Sequence, residues 1–342
     1  MDEPSTSQVP SIRHVGVCLD RSAFGDRVIP HAVAMAKAFG AKLTVLHVLE
    51  PPHEGPDAVP TDALDWEVRR SEARRHLAEV GSAHSELSVG AELLEGRPAE
   101  EIRDWVEHHR SDLTVLASHG ASGWTEWSLA STARKLIEGI SGSVLVVPAW
   151  SVQEAPKGEV RYGRILVLLD GSARAESALP EALGVARAQG SELLLLHVVP
   201  SPQPPCPCPG PAEGNRESEA DGLERRLVER NARAAETYLE GVKERLSRDG
   251  LRVRTRVAVD GDVRGEILQR IAEDHVDLVV LAGHGQGGRA ELPFGSVASF
   301  LLEHATAPLL VVRKQASQLR RTLSRVRSRS RGGVRLPPLA AS

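Results

Sequence analysis

The sequence predicts an α/β fold of two repeated doubly wound domains, each a five-stranded parallel sheet in the order 3-2-1-4-5 with helices on both faces. Three observations carry that expectation. Short apolar runs of strand length alternate with longer runs of helical period, a pattern that requires crossover connections and a parallel sheet covered on both sides. Asp112-Leu-Thr-Val-Leu-Ala-Ser-His-Gly120 recurs as Asp277-Leu-Val-Val-Leu-Ala-Gly-His-Gly285. The rest of the chain repeats as well: Asp20 aligns with Asp170 and His47 with His197 at an offset of 150 residues. Gly96 aligns with Gly261, His119 with His284, Ala130 with Gly295, and Val144-Leu-Val-Val147 with Leu309-Leu-Val-Val312 at an offset of 165.

In the first copy, Ile12 to Leu19 reads as a strand, and Val28 to Phe39 as a helix that Gly40 can end in a left-handed C-cap. Lys42 to Leu49 is the second strand, Leu64 to Val80 the second helix, and Leu87 to Leu94 the third strand. Pro98 opens the third helix, where its missing N–H costs nothing. Leu113 to Ala117, Ser131 to Glu138 and Val144 to Val147 complete the copy as strand, helix and strand. The second copy repeats the strands at Ile165 to Leu169, Leu193 to Val199, Val253 to Val259, Leu278 to Ala282 and Leu309 to Val312. Its 15 added residues fall between the strand holding His197 and Gly261, a region containing Ser201-Pro-Gln-Pro-Pro-Cys-Pro-Cys-Pro-Gly-Pro211. Such a run continues neither a helix nor a central strand, so the insertion reads as a surface loop.

A chain of 342 residues holds two ordinary domains, expected at 11–148 and 161–314 with a linker between them. Cys18 lies in an apolar strand and reads as a small hydrophobe, while Cys206 and Cys208 read as an incidental loop feature rather than a metal or redox pair. The N-terminus carries neither a basic start nor an apolar stretch, and no segment approaches about 20 apolar residues, so a cytoplasmic protein is expected. The net charge of −4 is unevenly placed, since nine Arg or Lys and no acidic residue fall between Arg313 and Ser342. Residues 315–342 are therefore expected to be a disordered basic tail, either a solvated appendage or a contact for nucleic acid, anionic lipid or an acidic partner.

In doubly wound sheets, ligands sit beyond the carboxyl ends of the strands, where the winding reverses. In the second copy those ends are Asp170-Gly-Ser and Ala282-Gly-His-Gly285, the latter leading through a Gly-rich loop to Gly295-Ser296-Val297 and a helix. Glycines there let N–H groups face outward, and a helix start attracts anions; Ser296 is expected to cap that helix or sit in its first turn. A phosphate is the natural anion.

The order of elements and this loop resemble the universal stress protein family over both halves. Its nucleotide-binding members carry Gly, two residues, Gly, nine residues, then Gly-Ser or Gly-Thr. Gly285, nine intervening residues and Gly295-Ser296 reproduce the last part; Ala282 stands at the first glycine, with Gly283 beside it. The resemblance implies ATP, with Mg²⁺, held by Asp170, Val198, Gly283, Gly285, Gly295, Ser296 and Val297, and more weakly in the first copy by Asp20, Val48, Gly120 and Ser131. Either Asp can equally be a turn residue. His47 and His197 read as hydrogen-bonded core histidines.

In the first copy the three glycine positions are Ala117, Gly120 and Ala130, where an added Cβ crowds a phosphate or forbids a positive φ. The loop instead holds Trp124 and Trp127, which either fill the vacated pocket, make a contact surface, or pack as ordinary loop residues. The resemblance also implies pairing through the fifth strands, here within one chain, and leaves a homodimer open.

Three functions follow: a tandem nucleotide-binding regulatory module without chemistry of its own, a ligand-free scaffold, or a weak ATP hydrolase using Asp170, His284 and Arg289. No Gly-x4-Gly-Lys-Ser/Thr loop supports the last.

Overall fold

The structure, a computed structural model, describes residues 12–20, 26–51, 63–84, 86–118, 131–148, 159–201, 216–285 and 294–313. The first half runs β1 (His14–Leu19), α1 (Ile29–Phe39), β2 (Lys42–Leu49), α2 (Ala63–Ala83), β3 (Val89–Glu95), α3 (Pro98–His109), β4 (Leu113–Ala117), α4 (Ser131–Gly139) and β5 (Ser143–Val147). The second runs β6 (Arg164–Leu168), α5 (Ala173–Glu176), α6 (Leu179–Gln189), β7 (Glu192–Pro200), α7 (Arg216–Ser247), β8 (Arg252–Asp260), α8 (Val263–Glu273), β9 (Leu278–Ala282), α9 (Ser296–His304) and β10 (Leu309–Val312). Gly40 and its counterpart Gly190 take φ of 60° and 69° and end α1 and α6 in left-handed caps, a conformation in which a Cβ is disfavoured.

All ten strands lie in one sheet, ordered β3-β2-β1-β4-β5-β10-β9-β6-β7-β8, so each half has the order 3-2-1-4-5. Neighbours within a half are parallel. β5 and β10 pair antiparallel, with Leu309 opposite Val146, Leu310 opposite Leu145 and Val311 opposite Val144. The expected internal pairing of the fifth strands is therefore present, and it covers one edge of each half. The outer edge strand β8 carries Arg252, Arg254 and Arg256 at alternate, exposed positions, which discourages further strand addition.

Each face of the sheet carries one core shared by both halves. One joins β-strand side chains such as Val17 and Val167 to Ala32 of α1, Leu77 of α2, Ala182 of α6 and Leu239 of α7. The other joins Leu46 and Leu196 to Ile102 of α3, Ile137 of α4, Ile267 of α8 and Leu301 of α9. The aspartates that open the twin stretches fasten the opposite end of the sheet from the candidate site: Asp112 accepts from the N–H groups of Arg13 and His14, and Asp277 from that of Arg164.

Three expectations are corrected. β1 begins at His14 rather than Ile12, and β3 spans Val89–Glu95 rather than Leu87 to Leu94. The added length of the second copy lies mostly in helix, since α7 has 32 residues where α2 has 21. The Glu, Arg, Ala and Leu that follow the proline run are strong helix formers and prolong the crossover instead of looping out. Residues 202–215, with Cys206 and Cys208, and the basic tail from 315 onward lie outside the described residues, as does most of the linker. Among the described residues no helix is long and apolar enough to cross a membrane.

The halves also meet through side chains. α1 packs on α6, and Gly184 lies so close to Phe39 that a Cβ there would overlap the ring. Buried beside this contact, His31 Nδ1 and the Tyr162 hydroxyl are hydrogen-bonded at 2.8 Å. On the other face, Arg134 of α4 pairs with Glu303 of α9.

Burial pulls the His31 pKa down to about 4, from 6.5 for an exposed imidazole. The folded state therefore holds His31 neutral, and between about pH 6.5 and 4 the unfolded chain takes up that proton first. Its contribution, about 3 kcal/mol, is complete above pH ~6.5 and is lost as the pH falls toward 4. Urea unfolding across that range is expected to show a smaller loss of stability in His31→Gln than in the unaltered protein, by about that amount. Equal pH profiles would contradict the burial of His31 as described.

Candidate functional site

β6 and β9 are neighbours in the sheet, and their crossovers leave in opposite directions, so a crevice opens beyond their carboxyl ends. On the β6 side, Asp170 Oδ1 accepts from the Ser172 N–H at 2.9 Å, and Gly171 between them has φ of 78°. Ser172 Oγ in turn accepts from the Ala175 N–H at 3.1 Å and caps α5. Asp170 is thus a turn residue, and this role coexists with its place at the crevice.

On the β9 side, the Gly283 N–H donates to the Val312 carbonyl at 3.0 Å, and the Gly283 carbonyl accepts from the Gly295 N–H at 2.8 Å. Both ends of the loop are thereby fixed, while residues 286–293, including Arg289, lie outside the described residues. Gly295 is the N-cap of α9 and no side chain caps it; Ser296 occupies the first turn. The opening N–H groups of a helix lack partners within it and carry a positive partial charge.

These elements enclose a cavity of about 470 Å³. Asp170, Val198, Gly283, Gly285, Gly295, Ser296 and Val297 all line it, so the seven residues singled out in the second copy meet at one place. The remaining wall is largely apolar, with Val263 and Ile267 of α8, Leu281, and Phe294. Sequence reasoning missed these: Val263 and Ile267 stand four apart, a spacing that any helix facing a core shows, and Phe294 belongs to no motif. Among the described lining residues none is Lys or Arg. The groups that the described residues offer an anion there include the opening backbone N–H groups of α9.

Of the three loop glycines only Gly285 is required by space, and none is required by backbone angle. None of Gly283, Gly285 and Gly295 has a positive φ, which removes one of the two reasons given for them. A Cβ on Gly285 would overlap Asp170 Oδ2, so the two strand ends approach within a glycine's width. A Cβ on Gly295 would instead stand 3.7 to 3.8 Å from the backbone of Gly283, His284 and Gly285, inside the loop but without collision.

The paired histidines differ. His47 is buried and its Nδ1 donates to the Leu19 carbonyl at 2.8 Å, as expected of a core histidine. His197 is half-buried, with its Nδ1 enclosed and without a hydrogen-bond partner among the described residues, and it meets the Tyr238 ring edge-on with centroids 6.4 Å apart. Beside it, the Leu196 carbonyl accepts from the Leu169 N–H at 2.9 Å. Burial lowers its pKa, and the Asp170 carboxylate opposes that shift.

In the first half, Asp20 is exposed, Val48 is buried and Ser131 opens α4. His119, Gly120, Trp124, Trp127 and Ala130 lie outside the described residues, so neither role proposed for the tryptophans is tested. Of the residues named for hydrolysis, Asp170 and His284 line the cavity. Among the described residues no group of three or more His, Cys, Asp or Glu is arranged to hold a metal.

The two glycine environments separate by mutation. Gly285→Ala is expected to cost about 1–3 kcal/mol in urea unfolding, because Asp170 must shift, whereas Gly295→Ala is expected to change stability little. Equal costs would contradict the close approach of the Gly285 turn to Asp170.

Comparison with known proteins agrees with the geometry. The universal stress protein family matches residues 11–148 and again 161–313. A universal stress protein of Mycolicibacterium smegmatis is 27% identical over 309 residues, covering 87% of this chain and 96% of the relative. The Mycobacterium tuberculosis universal stress protein Rv2005c is 26% identical over 288 residues, 80% of this chain and 87% of the relative. Among solved structures, a universal stress protein from Archaeoglobus fulgidus superposes with a TM-score of 0.61 at 18% identity, over 90% of this chain and 99% of that one, a likeness of fold. Two matches in tandem, relatives that align over most of both chains, and the sheet order together establish that this chain belongs to the universal stress protein family, in its tandem form.

Proposed function

We propose that the second half of this protein binds a nucleotide, ATP with Mg²⁺ in the first instance, and that the first half does not. The chain then works as a nucleotide-responsive regulatory module rather than an enzyme. The observation that carries this reading is the convergence of Asp170, Val198, Gly283, Gly285, Gly295, Ser296 and Val297 on one cavity at the switch point of the sheet. Its volume of about 470 Å³ falls within the range of small-molecule sites.

The chemistry of the lining divides the ligand. The apolar wall of Val198, Val263, Ile267 and Leu281 suits a flat base, and Asp170 can accept from a ribose hydroxyl. The first turn of α9 suits the phosphates. Asp170 is the sole carboxylate among the described lining residues and already holds the Ser172 N–H, so Mg²⁺ fits this site as an ion brought by the phosphates, not as one caged by the protein. A backbone cradle reads phosphate and not its number, so AMP and other nucleotides compete with ATP in this account.

Calorimetric titration of the full chain with ATP and Mg²⁺ is expected to show one site per chain. Gly295→Val, which places branched carbon between the loop and α9, is expected to abolish binding while the protein stays folded, and Asp170→Ala to weaken it by about tenfold, the loss of one hydrogen bond to a charged group. No binding by the unaltered protein, or full binding by Gly295→Val, would sink the proposal.

A further inference from the structure

Arg313, the residue that follows β10, reaches across the seam between the halves. Its guanidinium donates to the carbonyls of Ile137 at 2.7 Å and Ile140 at 2.8 Å, at the end of α4. Those carbonyls lie where a helix runs out of N–H partners and its dipole is negative, so a cation with two fixed donors satisfies both needs. The Arg313 N–H also donates to Ser143 Oγ on β5 at 3.2 Å. Burial pulls the guanidinium down to about 10, and it remains protonated at neutral pH.

The same guanidinium lies over the Phe294 ring, 4.1 Å from its centroid, a cation–π stack in a part-buried setting. Phe294 immediately precedes Gly295 and the start of α9. At the other end of the loop, the Gly283 N–H is bonded to Val312, the residue before Arg313, and the Gly283 carbonyl holds Gly295. A Cβ on Gly283 would meet Arg313 Cγ at 3.5 Å and Phe294 at 3.6 Å, so the three stand close together. Both ends of the loop therefore hang on the Val312-Arg313 step, and that step is fastened to the first half. The repeat places Pro148 where the second half has Arg313. Proline has no side-chain donor, so the tie runs from the second half's loop into the first half and is not reciprocated.

We infer that Arg313 is a positioning residue for the second half's loop: through Phe294 and Gly283 it ties the turn facing the cavity to the end of α4, so that the first half sets the geometry of the second half's site. The affinity consequence rests on the nucleotide reading of that cavity, whereas the structural tie does not.

The test uses the full chain. Arg313→Met keeps the length and removes charge and donors; Arg313→Lys keeps the charge and loses the fork. ATP and Mg²⁺ are expected to bind Arg313→Met about tenfold more weakly than the unaltered protein, with Arg313→Lys between them, as for residues that act through packed neighbours. In a Phe294→Leu background the same Arg313→Met change is expected to have less than about a twofold further effect, because the two act in series. A merely structural role would lower stability without this non-additivity in affinity. Unchanged affinity in Arg313→Met, or a tenfold loss that persists in Phe294→Leu, overturns the inference.

Amide hydrogen exchange without nucleotide decides the tie independently, and Arg313→Lys serves if Arg313→Met fails to fold. The Gly283 and Gly295 N–H groups are expected to exchange faster in the variant, with Leu166 and Leu194 in the β6–β7 ladder unchanged. Unaltered exchange at Gly283 and Gly295 overturns the inference. Absence of ATP binding by the unaltered chain would count against the nucleotide reading alone and leave this measurement standing.

Discussion

The antiparallel pairing of β5 with β10 is the contact on which the remaining architecture depends. Without it each half would present a short, fully apolar strand at its edge, the kind of edge that recruits other chains. Val144, Leu145, Leu309, Leu310 and Val311 are at most 1% exposed, so the seam is as deeply buried as any strand within either half. Joining the sheets also joins the cores on both faces and sets α1 against α6 and α4 against α9. The His31–Tyr162 and Arg134–Glu303 contacts, and the reach of Arg313 to α4, exist because that seam holds the halves in one register.

Within this frame the two copies keep the scaffold and differ at the loop. Asp112 and Asp277 serve the same structural purpose at the far end of the sheet, and Gly40 and Gly190 cap equivalent helices. His47 and His197 occupy equivalent places, yet one has a carbonyl partner and the other lies half-buried against the Tyr238 ring. The asymmetry gathers around the β6–β9 crevice, where the second copy retains glycine at 283, 285 and 295 and the first has Ser118, Gly120 and Ala130. On the proposed nucleotide reading such changes matter, since a single methyl would occupy the space that a phosphate oxygen needs.

Much of this was legible in the sequence, for identifiable reasons. Strands buried on both faces read as unbroken apolar runs, and Lys42–Leu49, Leu113–Ala117, Leu278–Ala282 and Leu309–Val312 have the bounds their composition predicts. The glycine spacing and the Asp at a strand end marked the cavity because close approach and turn chemistry leave a local signature. Phe294, Val263 and Ile267 left none, being apolar residues whose role depends on what faces them. Arg313 was only counted among the basic residues toward the C-terminus, at the end of the second domain; its partners, Ile137 and Ile140, are more than 170 residues away and present only carbonyls, which no side-chain pattern records. The length of α7 was missed because the proline run beside it drew the insertion to itself.

The claim that one half of a continuous sheet carries the site is tested most directly by amide NMR on the full chain during addition of ATP and Mg²⁺. The account predicts shifts at Asp170, Val198, Gly283, Gly285 and Gly295 to Ala298, with Asp20, Val48 and their neighbours unmoved. Shifts centred on Asp20 and Val48, or none in either half, would contradict it.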